Sequence, residues 1–97
     1  MQVIARRLLT QFWGRHRQAT GPLRAWYAMV SKASWQGPAD VKVLFRFADF
    51  APADRIIFAI DGNRYRVVAR VSYRLGSVFV IFVGTRAEYD ALDPGTV

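Results

Sequence analysis

The chain has 97 residues, which is enough for one compact domain spanning residues 1–97 and too few for two domains with separate cores. Apolar residues make up 53% of it and charged residues 22%, a composition that excludes an intrinsically disordered tail. Lys and Arg number 14 against 7 Asp and Glu, so the formal net charge is +7 and an anionic partner is expected.

The first third of the chain predicts two amphipathic helices. Apolar side chains recur at spacings of one, three and four over residues 6–16, which marks one face of a helix. The Thr-Gly-Pro sequence at residues 20–22 indicates a break and the restart of a second helix. A second apolar stripe follows at Leu23, Trp26, Tyr27 and Val30. We expect the helices to pair as a hairpin that leaves most of the arginines outward, namely Arg6, Arg7, Arg15, Arg17 and Arg24.

This arginine-rich segment contains no acidic residue up to Ala39. Such a start is also typical of a transit peptide or of a membrane-active helix. Phe12 and Trp13 are better explained as core residues of a domain, and no apolar run reaches the roughly 20 residues that a membrane span needs. We therefore expect no membrane contact and a cytoplasmic location, which the absence of Cys fits.

The middle of the chain predicts a loop over residues 34–38 and is then ambiguous. Residues 39–47 fit neither the helical nor the strand period, so a short helix and a strand both stay open. Residues 51–54 indicate a turn, and residues 55–60 are apolar and β-branched enough for a strand. Asp61 and Gly62 offer the two positive-φ positions of a tight hairpin turn.

Residues 64–74 alternate as a strand of which one face is apolar. The other face carries four arginines, Arg64, Arg66, Arg70 and Arg74. A turn at residues 75–76 precedes a nearly all-apolar strand at residues 77–84, typical of the middle of a sheet. The order of elements predicts an α+β domain whose N-terminal helical hairpin packs on a small, three-stranded antiparallel sheet.

The arginine stripe is the strongest indication of a binding surface. Like charges about 7 Å apart along a strand repel one another unless an anion lies across them. The guanidinium group binds phosphate through two hydrogen bonds, and the chain has twelve arginines but two lysines. The alternatives are a solvated outer sheet face and the arginine bias of a GC-rich genome.

The residue types restrict the chemistry. Paired carboxylates, a glycine-rich phosphate loop and a metal-ligand cluster are not evident, and the lone His16 is expected at the edge of the core. No metal or cofactor is therefore expected, and any catalysis depends on Arg, Lys and Tyr. Such a set suits RNA cleavage in which the RNA's own 2′-hydroxyl attacks the neighbouring phosphate.

The segment after the last strand predicts a short helix. Thr85 is placed as its N-cap, and Glu88, three residues later, completes a capping box. This helix would carry Arg86 and Tyr89 on one face at the edge of the sheet.

Two motifs resemble the HigB family of RelE-like toxins: GNRYRVVA at residues 62–69 and FVGTRAEYD at residues 82–90. AWY at residues 25–27 and ADVK at residues 39–42 also resemble that family, so the likeness covers nearly the whole chain. The resemblance implies a RelE-like fold and a ribosome-dependent endonuclease that cuts mRNA. It also implies a HigA-type antitoxin with a DNA-binding helix-turn-helix as partner.

The resemblance also assigns roles by motif position. Arg66 would contact the scissile phosphate, Lys42 would add positive charge, and Tyr89 would orient the RNA or take part in proton transfer. Asn63 would shape the hairpin. The other arginines of the stripe are expected to bind RNA.

One position departs from the family pattern Gly-Thr-His-x-Glu-Tyr-Asp, since Arg86 stands where the family has His. Arginine binds phosphate, but it stays protonated and cannot act as a general base near neutral pH. Three interpretations stay open: a toxin that works without the imidazole, a weakened toxin, and a non-catalytic RNA- or ribosome-binding module.

Overall fold

The computed structural model describes residues 1–92. These residues include the strands of one five-stranded sheet. In chain order the strands are β1 (Gln2–Ile4), β2 (Asp49–Ala51), β3 (Arg55–Ile60), β4 (Tyr65–Ser72) and β5 (Ser77–Thr85). They lie side by side in the order β1-β5-β4-β3-β2. β1 runs parallel to β5, and every other neighbouring pair is antiparallel.

The predicted three-stranded antiparallel sheet is therefore the centre of a larger, mixed sheet. The meander of β3, β4 and β5 is confirmed. The expectation of a purely antiparallel sheet is wrong, because β1 adds a parallel edge strand and β2 extends the opposite edge. Each of these strands has three residues, too few for an alternating pattern to show in the sequence.

The helices predicted in the first third of the chain are α1 (Arg6–Arg15) and α2 (Thr20–Lys32), joined through a 3₁₀ turn at Arg17–Ala19. Both predicted apolar stripes are confirmed, because their central residues are buried: Leu9, Phe12, Leu23, Trp26 and Val30. α1 contacts β5 and α2, while α2 contacts β1 and β3. The five arginines expected outward on these elements are all exposed.

The core lies between these helices and one face of the sheet. Trp26 and Phe45 each meet Phe58 of β3 edge to face, with ring centroids 5.3 Å and 5.1 Å apart. His16 is half-buried and stacks on Phe12 with centroids 4.3 Å apart, so its predicted place at the edge of the core is confirmed.

The ambiguous segment forms a short helix, α3 (Pro38–Leu44), rather than a strand. Pro38 occupies its first turn, and the side chain of Asp40 accepts a hydrogen bond of 2.8 Å from the backbone N–H of Gln36. The predicted loop before it and the turn between β2 and β3 are confirmed.

The β3–β4 connection is longer than the sequence predicts. Asp61 and Gly62 do adopt positive φ angles of 54° and 67°, but the loop spans residues 61–64 and the pair that closes it is Ile60 with Tyr65. β4 is accordingly shorter than the predicted strand, so Arg64 and Arg74 lie in turns beyond its two ends.

Within residues 1–92, no helix has the length and apolarity to cross a membrane. The last five residues of the expected 1–97 domain lie outside the described residues.

Candidate functional site

The sheet face turned away from α1 and α2 holds the candidate site. On β4 the core-facing residues include Tyr65, Val67 and Ala69, so Arg66 and Val68 point to the other face. The last described helix, α4 (Arg86–Asp90), contacts β4 and β5 and brings Tyr89 over this face.

Arg66 is held in place by two contacts. Its guanidinium Nη1 donates a hydrogen bond of 3.1 Å to Oδ1 of Asn63 in the β3–β4 loop. Its Cζ lies 5.8 Å from the centre of the Tyr89 ring. A half-buried arginine held by two contacts keeps its guanidinium in a defined position, which suits binding of a phosphate.

A capping box fixes α4, as the sequence predicts. The Thr85 hydroxyl accepts a hydrogen bond of 3.1 Å from the N–H of Glu88, and the Glu88 carboxylate accepts one of 2.9 Å from the N–H of Thr85. The backbone bond from Thr85 is the main reason that the pKa of Glu88 lies below its ordinary value, although partial burial opposes it. The cap therefore sets where the helix begins and, four residues after the cap, where Tyr89 lies.

Gly84 makes room for the ring beside Tyr89. A Cβ at position 84 would lie 2.9 Å from Cε1 of Phe82, closer than real Cβ contacts. The Phe82 ring folds over this glycine and meets the Tyr89 ring with centroids 6.4 Å apart. Tyr89 is therefore supported by Phe82 and in turn lies against Arg66.

A groove of about 890 Å³ lies between the β3–β4 hairpin and the segment from α3 to β2. Its charged lining residues are Lys42, Arg46, Arg66 and a single acid, Asp49. Lys42 Nζ donates a hydrogen bond of 3.1 Å to the Arg46 carbonyl and lies 5.7 Å from the centre of the Phe50 ring. The structure thus brings two predicted site residues, Lys42 and Arg66, to one groove.

Arg46 is the third cation of this groove and is not among the site residues predicted from the sequence. Arg46 lies just after α3, in the segment whose period is neither helical nor extended, so its direction could not be inferred. A spacing of four from Lys42 gives no signal here, because Arg46 lies outside the helix in which that spacing would place the two side chains together.

Arg86 is the first residue of α4, and its backbone N–H donates a hydrogen bond of 2.9 Å to the carbonyl of Arg64. Its Nε is 3.8 Å from the Asp90 carboxylate in an exposed ion pair. Arg86 precedes Tyr89, whose ring meets the Arg66 guanidinium, by three residues in the same helix.

The predicted arginine stripe is not one continuous surface. Arg64 lies in the loop before β4, where it donates a hydrogen bond of 3.1 Å to Gln18 in the 3₁₀ turn and lies 3.8 Å from Asp61. Arg70 is exposed and pairs with Phe79 across the sheet. Arg74, exposed in the β4–β5 turn, is eight residues beyond Arg66, a distance of about 26 Å along an extended chain. The structure does not bring Arg64 and Arg74 to the groove.

The groove supplies positive charge from three side chains. Among the described residues, no group of three or more His, Cys, Asp and Glu side chains is placed to hold a metal ion. Lys42, Arg46 and Arg66 can bind a phosphate and stabilise negative charge that grows on it.

A family model named HigB_toxin, described as the RelE-like toxic component of a toxin–antitoxin system, matches residues 19–92. This range contains α3, the four strands from β2 to β5 and α4, and therefore the whole candidate site. A search of curated proteins found none that matches the chain.

Proposed function

The chain belongs to the HigB family of RelE-like toxins, and we propose that it acts as a ribosome-dependent endonuclease that cuts mRNA and so inhibits translation. As the toxic component of a toxin–antitoxin system, it has an antitoxin as partner. The observation that carries the proposal is the groove in which Lys42 and Arg46 face Arg66, itself held against Tyr89.

The proposed reaction uses the RNA's own nucleophile. The 2′-hydroxyl gives up its proton as its oxygen attacks the adjacent phosphorus. The bond to the 5′-oxygen breaks and that oxygen takes up a proton, so the products are a 2′,3′-cyclic phosphate and a 5′-hydroxyl end. The phosphoryl oxygens gain negative charge on the way to the pentavalent transition state. A guanidinium already held by Asn63 and Tyr89 stabilises that charge without having to reorganise, and this is the role proposed for Arg66.

Lys42 and Arg46 supply positive charge along the groove. Lys42 uses one of its three donors on the Arg46 carbonyl, which leaves two for the RNA backbone. Tyr89 orients Arg66 through its ring face, and proton transfer through its hydroxyl is the alternative role that Tyr89→Phe tests. Arg70 extends the positive charge along β4, with Arg64 and Arg74 farther away contributing to RNA binding.

Arg86 is assigned a purely electrostatic role. Its charge is paired with Asp90, and a guanidinium does not exchange a proton near neutral pH. The absence of a proton-exchanging side chain at position 86 favours a second candidate function, a toxin that binds RNA or the ribosome without cutting the RNA. The two candidates differ in whether the message is cleaved.

The partners proposed are a HigA-type helix-turn-helix antitoxin, mRNA and the ribosome, which meet in the cytoplasm. An antitoxin that presents acidic groups would complement a chain of net charge +7 and cover the groove.

The test is incubation of the purified chain with translating ribosomes, with cleavage sites mapped by primer extension. New 5′ ends that are absent with Arg66→Ala support the endonuclease. Ribosomes that stall on intact message support the non-catalytic binder instead.

A further inference from the structure

An aromatic ring stands exposed at the mouth of the groove. Phe47 lines the groove and is 77% exposed, although burial of such a ring is favourable. Leu75 in the β4–β5 turn is exposed to the same degree, but it does not line the groove. Phe47 differs in having a cation beside its ring, because Arg46 Cζ lies 5.6 Å from the ring centre.

The surroundings of Phe47 are those of a nucleobase site. Bases of single-stranded RNA stack on exposed aromatic rings, and guanidinium groups join such stacks. Three of the four charged residues that line the groove are cations, so its charge complements a phosphodiester chain. The groove volume of about 890 Å³ is within the range of clefts that hold small ligands.

The groove is also continuous with the proposed cleavage site, because Arg66 lines it and contacts Tyr89. A nucleotide strand whose phosphate is bound by Arg66 would extend into the space beside Phe47. An apolar protein segment would cover the exposed ring as well, but it would leave the charges of Lys42, Arg46 and Arg66 without anionic partners.

We propose that Phe47 is the stacking platform for an unpaired base next to the phosphate bound by Arg66, so that this groove takes single-stranded RNA. The inference rests on the proposed function and adds to it the way in which the RNA is held. Stacking on a ring is available to every base, so this site contributes affinity and little sequence preference.

The experiment measures binding of a fluorescein-labelled, short single-stranded RNA by anisotropy at low salt. A second RNA of the same length carries abasic sugars in place of its bases and therefore offers only the backbone. Both probes are titrated with the wild-type chain, Phe47→Ala, Phe47→Leu, Phe47→Trp and the control Leu75→Ala. Melting temperatures are recorded for each variant.

We expect Phe47→Ala and Phe47→Leu to bind the intact RNA about tenfold more weakly than wild type, as for one lost stacked base, and to bind the abasic probe equally well. Phe47→Trp should keep the affinity, and Leu75→Ala should match wild type on both probes. The leucine variant is decisive, since it keeps apolar bulk without a π-face.

The proposal is overturned if the wild-type chain binds both probes equally, or if Phe47→Leu binds the intact RNA as tightly as wild type. It is also overturned if Phe47→Ala weakens binding of the abasic probe as much as binding of the intact RNA. It is also overturned if RNA binding is unchanged while Phe47→Ala weakens capture by the antitoxin, because the groove then belongs to the protein partner. Cleavage on ribosomes is scored separately. Phe47-dependent base binding without cleavage by wild type would contradict the endonuclease and leave the base site standing.

Discussion

The Cζ of Arg66 lies 5.8 Å from the centre of the Tyr89 ring. This contact joins a central strand to the short helix that follows the last strand. Each partner is positioned by its own neighbours, Arg66 by Asn63 and Tyr89 by the Thr85 cap and Phe82. The geometry at the candidate site therefore depends on contacts that can be removed one at a time.

Arg66→Ala should abolish most cleavage and leave the fold intact. A donor aimed at the charge of the transition state is typically worth a hundredfold or more in rate, whereas Arg66 lies on the sheet face turned away from the core. Primer extension on translating ribosomes gives the rate, and the melting temperature monitors folding. Arg24→Ala is the matched control, since it removes one exposed arginine from α2. A large fall in the melting temperature of Arg66→Ala would show that the residue is structural.

The contributions of the Tyr89 ring and of the Tyr89 hydroxyl to cleavage can be measured separately. The contacts with Arg66 and Phe82 involve the ring, so Tyr89→Phe should retain far more cleavage than Tyr89→Ala. Single-turnover rates for the two variants make the comparison. Equal loss in both would assign the chemistry to the hydroxyl and support proton transfer.

Arg86→His should increase toxicity. An imidazole with an ordinary pKa near 6.5 exchanges a proton close to neutral pH, a step typically worth about a hundredfold to ten-thousandfold in rate. The substitution gives up an exposed ion pair with Asp90, which contributes little to stability. Growth arrest at matched expression is the measurement, with Arg86→Ala as control. Equal or weaker arrest by the histidine variant would show that the imidazole is dispensable in this chain.

The α4 cap should weaken in acid. The folded-state pKa of Glu88 is lowered chiefly by the Thr85 backbone N–H, with the nearby charges of His16 and Arg15 adding to it. The ionised Glu88 carboxylate therefore stabilises the folded chain at any pH above the pKa that this group has in the unfolded chain. The stabilisation is lost as the pH falls through the lower pKa of the folded chain. The urea concentration at the unfolding midpoint should fall less steeply with decreasing pH for Glu88→Gln than for wild type. Glutamine keeps an acceptor for the cap but does not ionise. Parallel curves for the two proteins would show that Glu88 does not set the acid dependence.

Association with the antitoxin should slow as salt is raised. A net charge of +7 attracts an acidic partner over a distance that added salt shortens. Stopped-flow association rates at several salt concentrations test this, and Lys42→Ala and Arg46→Ala should reduce the slope. A rate that does not change with salt would place the interface elsewhere, for example on the apolar edges of α1 and α2.

The elements that could be predicted are those long enough to show a period or a continuous apolar run. α1 and α2 show the helical period and β4 alternates, whereas β3 and β5 are apolar runs of strand length. β1 and β2 have three residues each, and β1 pairs with a strand from the other end of the chain. Near Ile81 the register between β4 and β5 shifts, and an all-apolar strand gives no sign of where such a shift falls.

The site was predictable where a motif stands in a regular element. Arg66 lies in an alternating strand and Tyr89 in a helix whose cap is visible in the sequence. Arg46 and Phe47 lie between two short elements, where no period indicates direction, so the groove they line could not be foreseen. Arg64 and Arg74 were predicted to lie on the same strand face as Arg66, and this was wrong. The alternation in the sequence continues past Tyr65–Ser72, the residues that pair as β4.

The charges facing the groove also determine how such a protein can be turned off. Arginine side chains supply fixed charge, so the positive charge that Arg46 and Arg66 bring to the groove is turned off by covering it with a bound molecule. Activity is then set by occupancy, that is, by how much of a covering molecule is present relative to the toxin. The time course of inhibition would follow the synthesis and breakdown of that molecule rather than any change in the toxin itself.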